Sequence, residues 1–225
     1  MPRLALFLLG PMLVTLDERP VEAFEYDKVR ALLAYLAVEA DRPHRREALA
    51  GLLWPDLPEA SARMNLRQAL ATLRRAISDP DTEPPFLLTS RAALQWNRSA
   101  ASWLDVAALL TLLDETERHP HRHAAHCRDC AERLEQAVAL YRGPFLAQFS
   151  LADSAGFEEW ALLKREWLHH RLLGALARLV AFYERRGDYA PATRFARQQV
   201  EQDPWREEAH RQLMAWLAQS GQRSA

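Results

Sequence analysis

Residues 60–77 carry four arginines and no acidic residue, in a chain whose positive and negative charges nearly balance. Leu66, Leu70, Leu73 and Ile77 recur at helical spacing, which predicts a helix with one buried stripe. The polar positions beside this stripe are Arg63, Arg67 and Arg74 on one flank, Gln68 and Arg75 opposite it, and Asn65 on the other flank. Arginine binds guanine edges and phosphates, and amides bind adenine, so this face is typical of a helix that enters the DNA major groove. The alternative is a solvated face, because arginine is also a good helix former.

A second group of reactive side chains lies in residues 119–130, which contain four histidines and both cysteines of the chain. Cys127 and Cys130 have the C-x-x-C spacing that lets two thiolates bind one zinc ion, and His123 and His126 are candidates to complete a tetrahedral site. A single C-x-x-C is weak evidence for a metal, so a polar loop between helices is the alternative. A thioredoxin-like redox role is disfavoured, because no βαβ pattern surrounds the motif.

The elements that would position residues 60–77 follow from apolar spacing and turn residues. Two strands are predicted at 4–9 and 12–16, with a turn at 17–20 before a short third strand. A helix over 27–40 has Asp27 as its expected N-cap, and a second helix over 44–54 ends at Pro55.

A polar loop and a terminal hairpin are predicted to follow the basic helix. The loop covers 79–85, and the hairpin strands cover 86–89 and 93–96. This order of strands, helices and hairpin is typical of a winged helix-turn-helix, in which the basic helix occupies the recognition position. Arg91, at the hairpin tip, is predicted to contact phosphate or the minor groove, with an ordinary exposed turn residue as the alternative.

The second half of the chain is predicted to be entirely helical. The expected helices cover 103–118, 130–141, 155–186, 190–202 and 205–220. A tight turn at 187–189 and interlocking small and large residues at Ala192, Phe195 and Ala196 resemble the spacing of tetratricopeptide (TPR) repeats. The fold class is therefore mainly α with small β: a winged helix-turn-helix at 1–98 followed by an all-α, TPR-like domain at 99–225. A helical bundle that packs only on its own winged helix is the alternative.

Composition limits where nucleic acid can bind. Lys and Arg total 29 and Asp and Glu total 30, so any DNA-binding surface must be a local patch. The apolar run at 4–9 is short and lacks a cleavage site, which favours a strand over a signal peptide. No window is long enough to span a membrane. These features predict a cytoplasmic protein with reduced cysteines and no membrane partner.

Five stretches of the chain together resemble a known family. They are FEYDKVRALLAYLA at 24–37, REALAGLLWPD at 46–56, ARMNLRQALATLRR at 62–75, LYRGPFL at 140–146 and DPWREEAHRQLM at 203–214. Their types and order are similar to those of the SARP-type transcriptional activators. In that family an OmpR-like winged helix precedes a bacterial transcriptional activator domain, and the likeness extends over essentially the whole chain.

The resemblance implies a regulator that binds promoter DNA, often as a dimer, with the helical domain supporting homodimerisation or contact with RNA polymerase. By position it assigns the DNA face to Arg63, Asn65, Arg67, Gln68, Arg74 and Arg75, and a backbone phosphate contact to Lys28. It also implies that this chain is an amino-terminal piece of a larger regulator. No G-x-x-x-x-G-K-[ST] loop occurs here, so no ATPase activity is expected of this chain.

Two other functional classes compete with DNA recognition. The first is a protein-interaction scaffold or signalling module of a larger regulator with no DNA binding of its own, which the balanced net charge favours. The second is an enzyme, for which the best candidates are Glu158, Glu159 and Glu166. These acids alternate with Lys164 and Arg165, as surface ion pairs do, so no catalysis and no cofactor other than zinc are predicted.

Overall fold

The fold is described from a computed structural model, which covers residues 4–120, 127–205, 207, 210–211 and 213–214. The helices in this part of the chain are α1 (Asp27–Val38), α2 (Arg46–Leu53), α3 (Glu59–Ala76), α4 (Asp105–Arg118), α5 (Arg128–Leu140), α6 (Ala155–Arg186) and α7 (Tyr189–Gln202). The strands are β1 (Leu4–Phe7), β2 (Leu13–Leu16), β3 (Arg19–Pro20), β4 (His44–Arg45), β5 (Leu87–Thr89), β6 (Ala93–Trp96) and β7 (Ser102–Leu104). The predicted class, mainly α with small β, is confirmed.

Two small sheets frame the first three helices. One has the order β3-β2-β1-β7, in which β1 pairs antiparallel with β2 and parallel with β7. The other has the order β4-β6-β5 and is antiparallel throughout. β5 and β6 form the predicted hairpin, and α3 occupies the predicted recognition position, so the winged helix-turn-helix is confirmed.

The leucine stripe of α3 is buried as the spacing predicts. Leu66, Leu70, Leu73 and Ile77 are each at most 7% exposed. α1 buries a matching set, which includes Leu32, Leu33 and Leu36. Because apolar burial is the main favourable term in folding, this stripe determines which face of α3 is left to solvent.

The chain divides into two compact units that do not follow sequence order. Unit 1 is Met1–Ala107 with Gly143–Arg165, and unit 2 is Ala108–Arg142 with Glu166–Ala225. In unit 1, the later segment joins the N-terminal sheet through a bridge between Leu9 and Phe145. The Ser154 hydroxyl donates a hydrogen bond to the Leu53 carbonyl at 2.8 Å, which ties the start of α6 to the end of α2.

In unit 2, α6 and α7 form a helix–turn–helix pair. Gly187 has a φ of 74°, which a residue without a Cβ adopts at little cost, and it ends α6. The rings of Tyr183 and Phe195 stack with centroids 5.9 Å apart across the pair. This arrangement is the predicted TPR-like unit. The helix predicted over 205–220 lies largely outside the described residues.

Several local predictions about the N-terminal elements were wrong. His44 and Arg45 form β4 instead of starting α2, because they pair with β6. Asp27 lies in the first turn of α1, and Tyr26 is the N-cap. The turn before β3 is shorter than expected, since Arg19 already pairs with Leu16.

The start of α4 was also predicted too early. Trp103 lies in β7, opposite Ala5 of β1, and α4 begins only at Asp105. Parallel pairing joins residues about a hundred positions apart, so no local pattern indicates it. Among the residues described, no helix combines the length and the apolar character needed to cross a bilayer.

Candidate nucleic-acid interface

The solvent face of α3 and the β5–β6 hairpin both lie in unit 1. Glu59 is in the first turn of the helix and Arg74 and Arg75 are in the last, so all three charges complement the helix dipole. Gln68 is exposed and Asn65 is half-buried on this helix. The polar side chains that the sequence predicted for DNA contact therefore differ in how far they reach solvent.

Arg67 is an exposed arginine of α3 whose charge is not balanced by a carboxylate in the described part of the chain. It forms no ion pair with any residue that the structure describes. Its guanidinium is close enough to Arg46 to affect that residue: burial lowers the pKa of Arg46, and the charge of Arg67 lowers it further. Two like charges held together favour an anion between or beside them.

Arg46 is a site residue that the sequence analysis missed. Its Nε donates to the Ser90 carbonyl at 3.0 Å, and its backbone N–H donates to the Ala92 carbonyl at 2.9 Å. These bonds join the start of α2 to the hairpin tip. Nothing in the local sequence distinguishes Arg46 from the neighbouring Arg45, because the pairing of β4 with β6 decides which of the two side chains meets the Ser90 carbonyl.

Arg91 lies exposed at the hairpin tip, and its side chain has no ion pair with a described residue. The tip itself is ordered by Ser90, whose hydroxyl oxygen accepts hydrogen bonds from the backbone N–H groups of Ala92 at 3.3 Å and Ala93 at 2.9 Å. Side-chain bonds of this kind stabilise turns. Arg91 is therefore presented from a defined turn.

Arg63 is neutralised within unit 1. Its guanidinium contacts Glu59 one turn earlier on α3 and Glu47 of α2 at 3.2 Å. The two carboxylates leave little net positive charge at this end of the helix.

Arg74 and Arg75, at the other end of α3, also have acidic partners. Arg74 Nε donates to Asp79 at 2.8 Å, and the Asp79 carboxylate is fully buried. Arg75 pairs with Glu25 at 3.2 Å, and Thr72 is a further neighbour at 3.3 Å. Arg74 therefore has a structural partner, whereas the pair made by Arg75 is exposed and easily exchanged.

Lys28 is held inside unit 1. Its Nζ lies 2.7 Å from the Asp153 carboxylate and 5.3 Å from the ring centroid of Trp54, and its side chain is 13% exposed. The hydrogen bond from Lys28 lowers the pKa of Asp153. A phosphate would have to displace Asp153 to reach this ammonium, so the predicted phosphate contact stays a prediction.

Among the described residues, one group of histidine and cysteine side chains could hold a metal ion, and it lies in unit 2. It consists of His119, Cys127 and Cys130. Cys127 and Cys130 thus lie together as their spacing predicts, with His119 as the nearby imidazole. His123 and His126, the histidines predicted to complete this site, lie outside the described residues.

Residues 104–225 match the model of the bacterial transcriptional activator domain. The transcriptional regulatory protein EmbR of Mycobacterium tuberculosis is 33% identical over 145 residues, and EmbR of Mycobacterium bovis is identical to the same extent. Each alignment covers 64% of this chain and 36% of the relative, so the aligned part spans about a third of the length of these curated relatives.

A solved structure shares the fold over nearly the whole chain. It is Mycobacterium tuberculosis EmbR in complex with a low affinity phosphopeptide, and it superposes with a TM-score of 0.73. The match covers 98% of this chain and 56% of that chain, at 23% sequence identity. At this identity the likeness shows the fold, a winged helix followed by a helical activator domain.

Proposed function

Because this chain belongs to the bacterial transcriptional activator domain family of SARP-type regulators, we propose that it binds promoter DNA through α3 and the β5–β6 hairpin. α3 enters the major groove, and the hairpin lies against the adjacent backbone or minor groove. The relatives are transcriptional regulators by name. No catalytic step is part of this proposal.

The observation that carries the proposal is the uncompensated pair of guanidinium groups at Arg67 and Arg46. Every other arginine of α3 has a carboxylate partner in unit 1. Arg67 and Arg46 have no such partner among the described residues; burial lowers the pKa of Arg46, and the nearby charge of Arg67 lowers it further. A phosphate or a guanine edge would relieve this repulsion and use the bidentate geometry of the guanidinium.

The proposed DNA contacts are of two kinds, those to base edges and those to phosphates. Arg67 and Gln68 are the candidates for base edges, since both are exposed and lie next to each other on the outer face of α3. Arg46 and Arg91 are the candidates for phosphates, since both lie at the hairpin.

Asn65 and Arg75 contribute at the edges of this surface. Arg63 and Arg74 join it only if their carboxylate partners are displaced.

The helical unit supplies the second part of the proposal. TPR-like stacks present grooves and flanks to other proteins, so this unit is suited to contact RNA polymerase or a second copy of the chain. A dimer would place two copies of α3 on half-sites about 10 base pairs apart or a multiple of that. Light scattering on the free chain and on the DNA complex distinguishes a pre-formed dimer from one assembled on DNA.

The decisive experiment is selection of bound sequences from a random duplex pool with the 225-residue chain, followed by titration of the selected duplex. We expect an enriched motif, and we expect Arg67→Ala to weaken binding to it by about 1–3 kcal/mol. Arg118→Ala is the matched control, because Arg118 is an 82% exposed arginine of unit 2. An unenriched pool, or equal binding by both variants and the parent, would overturn the proposal.

A protein-interaction role without DNA binding is the second candidate. It is favoured by the carboxylates Glu25, Glu47 and Glu59, which neutralise arginines at both ends of α3. Met64, 51% exposed on the same helix, offers an apolar contact of the kind that protein interfaces use. The same selection experiment separates the two functions, since a scaffold would enrich no duplex.

A further inference from the structure

Three side chains of types that can ligate a metal lie together in unit 2, between the end of α4 and the start of α5. His119 Nδ1 lies 3.4 Å from Cys127 Sγ and 3.3 Å from Cys130 Sγ. All three ligand atoms lie within 4.8 Å of one another. Cys130 is buried, whereas His119 and Cys127 are half-buried, so the group is sheltered but reachable.

The local structure explains why the side chains meet. α4 ends at Arg118, and His119 follows directly. Cys127 is the N-cap of α5, and Cys130 lies in the first turn of that helix, so both sulfurs project from the same end. The positive end of the helix dipole favours thiolates at these positions.

Without a metal ion, the three side chains are linked by hydrogen bonds, including one between the Cys127 and Cys130 thiols. A single ring nitrogen has either one proton to donate or one lone pair to offer, so Nδ1 can satisfy only one of the two sulfurs well. Cys130 has an additional acceptor in the Thr116 carbonyl, but at 3.9 Å. A cation between the three atoms would satisfy all of them at once.

We propose that His119, Cys127 and Cys130 bind one zinc ion, which holds the end of α4 against the start of α5. Zn–S bonds of about 2.3 Å and Zn–N bonds of about 2.0–2.1 Å put sulfur and nitrogen about 3.6 Å apart in a tetrahedron. The observed separations of 3.3 and 3.4 Å need an expansion of only a few tenths of an ångström. The proposal rests on these three ligands, and the fourth tetrahedral position is left unassigned.

The surroundings fit a site of two thiolates and one neutral imidazole. Burial and the neighbouring Cys127 raise the pKa of the Cys130 thiol, and the nearby charges of Arg178 and Arg133 offset part of this rise by favouring the thiolate. Zinc binding converts two thiols to thiolates and releases two protons, so the ion and its ligands are together neutral. A cavity of about 120 Å³ borders both cysteines, with Arg178 and Phe182 in its wall, and gives the sulfurs room to adjust.

The first measurement is the metal content of the purified 225-residue chain, by mass spectrometry. The second is the visible absorption spectrum of the chain after its metal has been removed and replaced by Co²⁺. We expect one zinc per chain, and a cobalt form with thiolate charge-transfer bands and the intense visible bands of a tetrahedral site. X-ray absorption of the zinc form should show two sulfur ligands at about 2.3 Å. Binding should weaken as the pH falls, because the thiols must lose their protons.

Two variants keep the test independent of folding defects. Cys127→Ser combined with Cys130→Ser should abolish stoichiometric zinc, with circular dichroism as the check on helical content. His119→Cys should keep zinc and strengthen the cobalt charge-transfer bands, since it adds a third thiolate. His170→Ala is the matched control, because His170 is an exposed histidine of the same unit.

The outcomes are distinct. A folded chain that is purified without metal and gives no cobalt–thiolate bands would overturn the proposal. So would equal zinc content in the parent and in the double cysteine variant. The result is independent of DNA binding, which the selection experiment measures separately.

Discussion

The Asp79 carboxylate, which is fully buried, accepts a hydrogen bond from Arg74 Nε at 2.8 Å. Its other oxygen accepts from the Leu87 backbone N–H at 3.0 Å. The pair therefore connects the last turn of α3 to the first strand of the hairpin. Arg74 is 37% exposed, so its main role in the free protein is to balance a buried charge.

We accordingly predict that Arg74→Ala reduces stability. Removing one partner leaves the buried carboxylate without its cation, which costs roughly 1–3 kcal/mol or more for a charged group. Urea unfolding followed by tryptophan fluorescence measures the loss. Arg118→Ala removes an exposed i,i+4 pair and should change stability by less than about 0.5 kcal/mol. Equal unfolding midpoints for the two variants would contradict the prediction.

A second prediction separates base contact from phosphate contact at Arg67. Arg67→Lys retains the charge but loses the bidentate fork, so it should lose sequence discrimination while the salt dependence of binding stays the same. Arg67→Ala should also lower the salt slope by about 1 if the residue contacts phosphate. Fluorescence anisotropy at several salt concentrations, on the selected duplex and a scrambled one, measures both effects.

A related prediction concerns the coupling between Arg46 and Arg67 in DNA binding. Because the guanidinium of Arg67 lies close enough to Arg46 to lower the pKa of that residue beyond the effect of burial, the double variant Arg46→Gln with Arg67→Ala should depart from additivity by at least about 0.5 kcal/mol in binding. Strict additivity would mean that the two guanidinium groups act on DNA independently.

A third prediction concerns Asp105, which is 1% exposed. Its carboxylate accepts hydrogen bonds from the backbone N–H groups of Leu8, Leu9 and Val106 at 2.8–2.9 Å. Asp105→Asn places an amide N–H against these N–H donors. It should lower the free energy of unfolding by roughly 3 kcal/mol, since each buried polar group left without a hydrogen-bond partner costs about 1–3 kcal/mol. Chemical denaturation measures the loss, with Asp56→Asn at an exposed turn as control.

A fourth prediction concerns alkaline pH. Burial and a hydrogen bond to Glu135 raise the pKa of Tyr183 to about 12 from 10.0. The folded state therefore favours the protonated phenol, so this stability is fully present below pH 10 and is lost as the pH rises towards 12. Tyr183→Phe should unfold with a weaker dependence on pH in this window. The titration of Tyr183 is measured as the tyrosinate absorbance of the parent minus that of the variant, followed as the pH is raised. A titration midpoint near pH 10 would contradict the raised pKa of Tyr183.

Much of the winged helix could be predicted from local periodicity. The stripe from Leu66 to Ile77 is buried as its spacing implies, and the bounds of α3 and α6 lie within one residue of the prediction. These features depend on neighbours three or four positions apart along one helix. β7 was missed because it is stabilised by hydrogen bonding to β1, which lies about a hundred residues earlier in the chain.

The candidate site was predicted less completely. The arginines of α3 were recognised by type and spacing, but helical spacing does not reveal that Arg75 meets Glu25 or that Arg63 meets Glu47. Arg46 was missed for the same reason, since its place at the hairpin depends on strand pairing. Among the metal candidates, the spacing of Cys127 and Cys130 was informative, whereas the role of His119 depends on where α4 ends.

The amino-acid order by itself therefore determined the three helices of the winged helix, the buried stripe of α3 and the concentration of arginines outside that stripe. Each follows from side-chain periodicity within a single element. Only the tertiary structure decided which of those arginines keeps an uncompensated charge, and which histidine meets the two cysteines. The physical reason is that a Coulomb or ligand contact acts over a few ångströms, and only packing brings residues distant in sequence within that range.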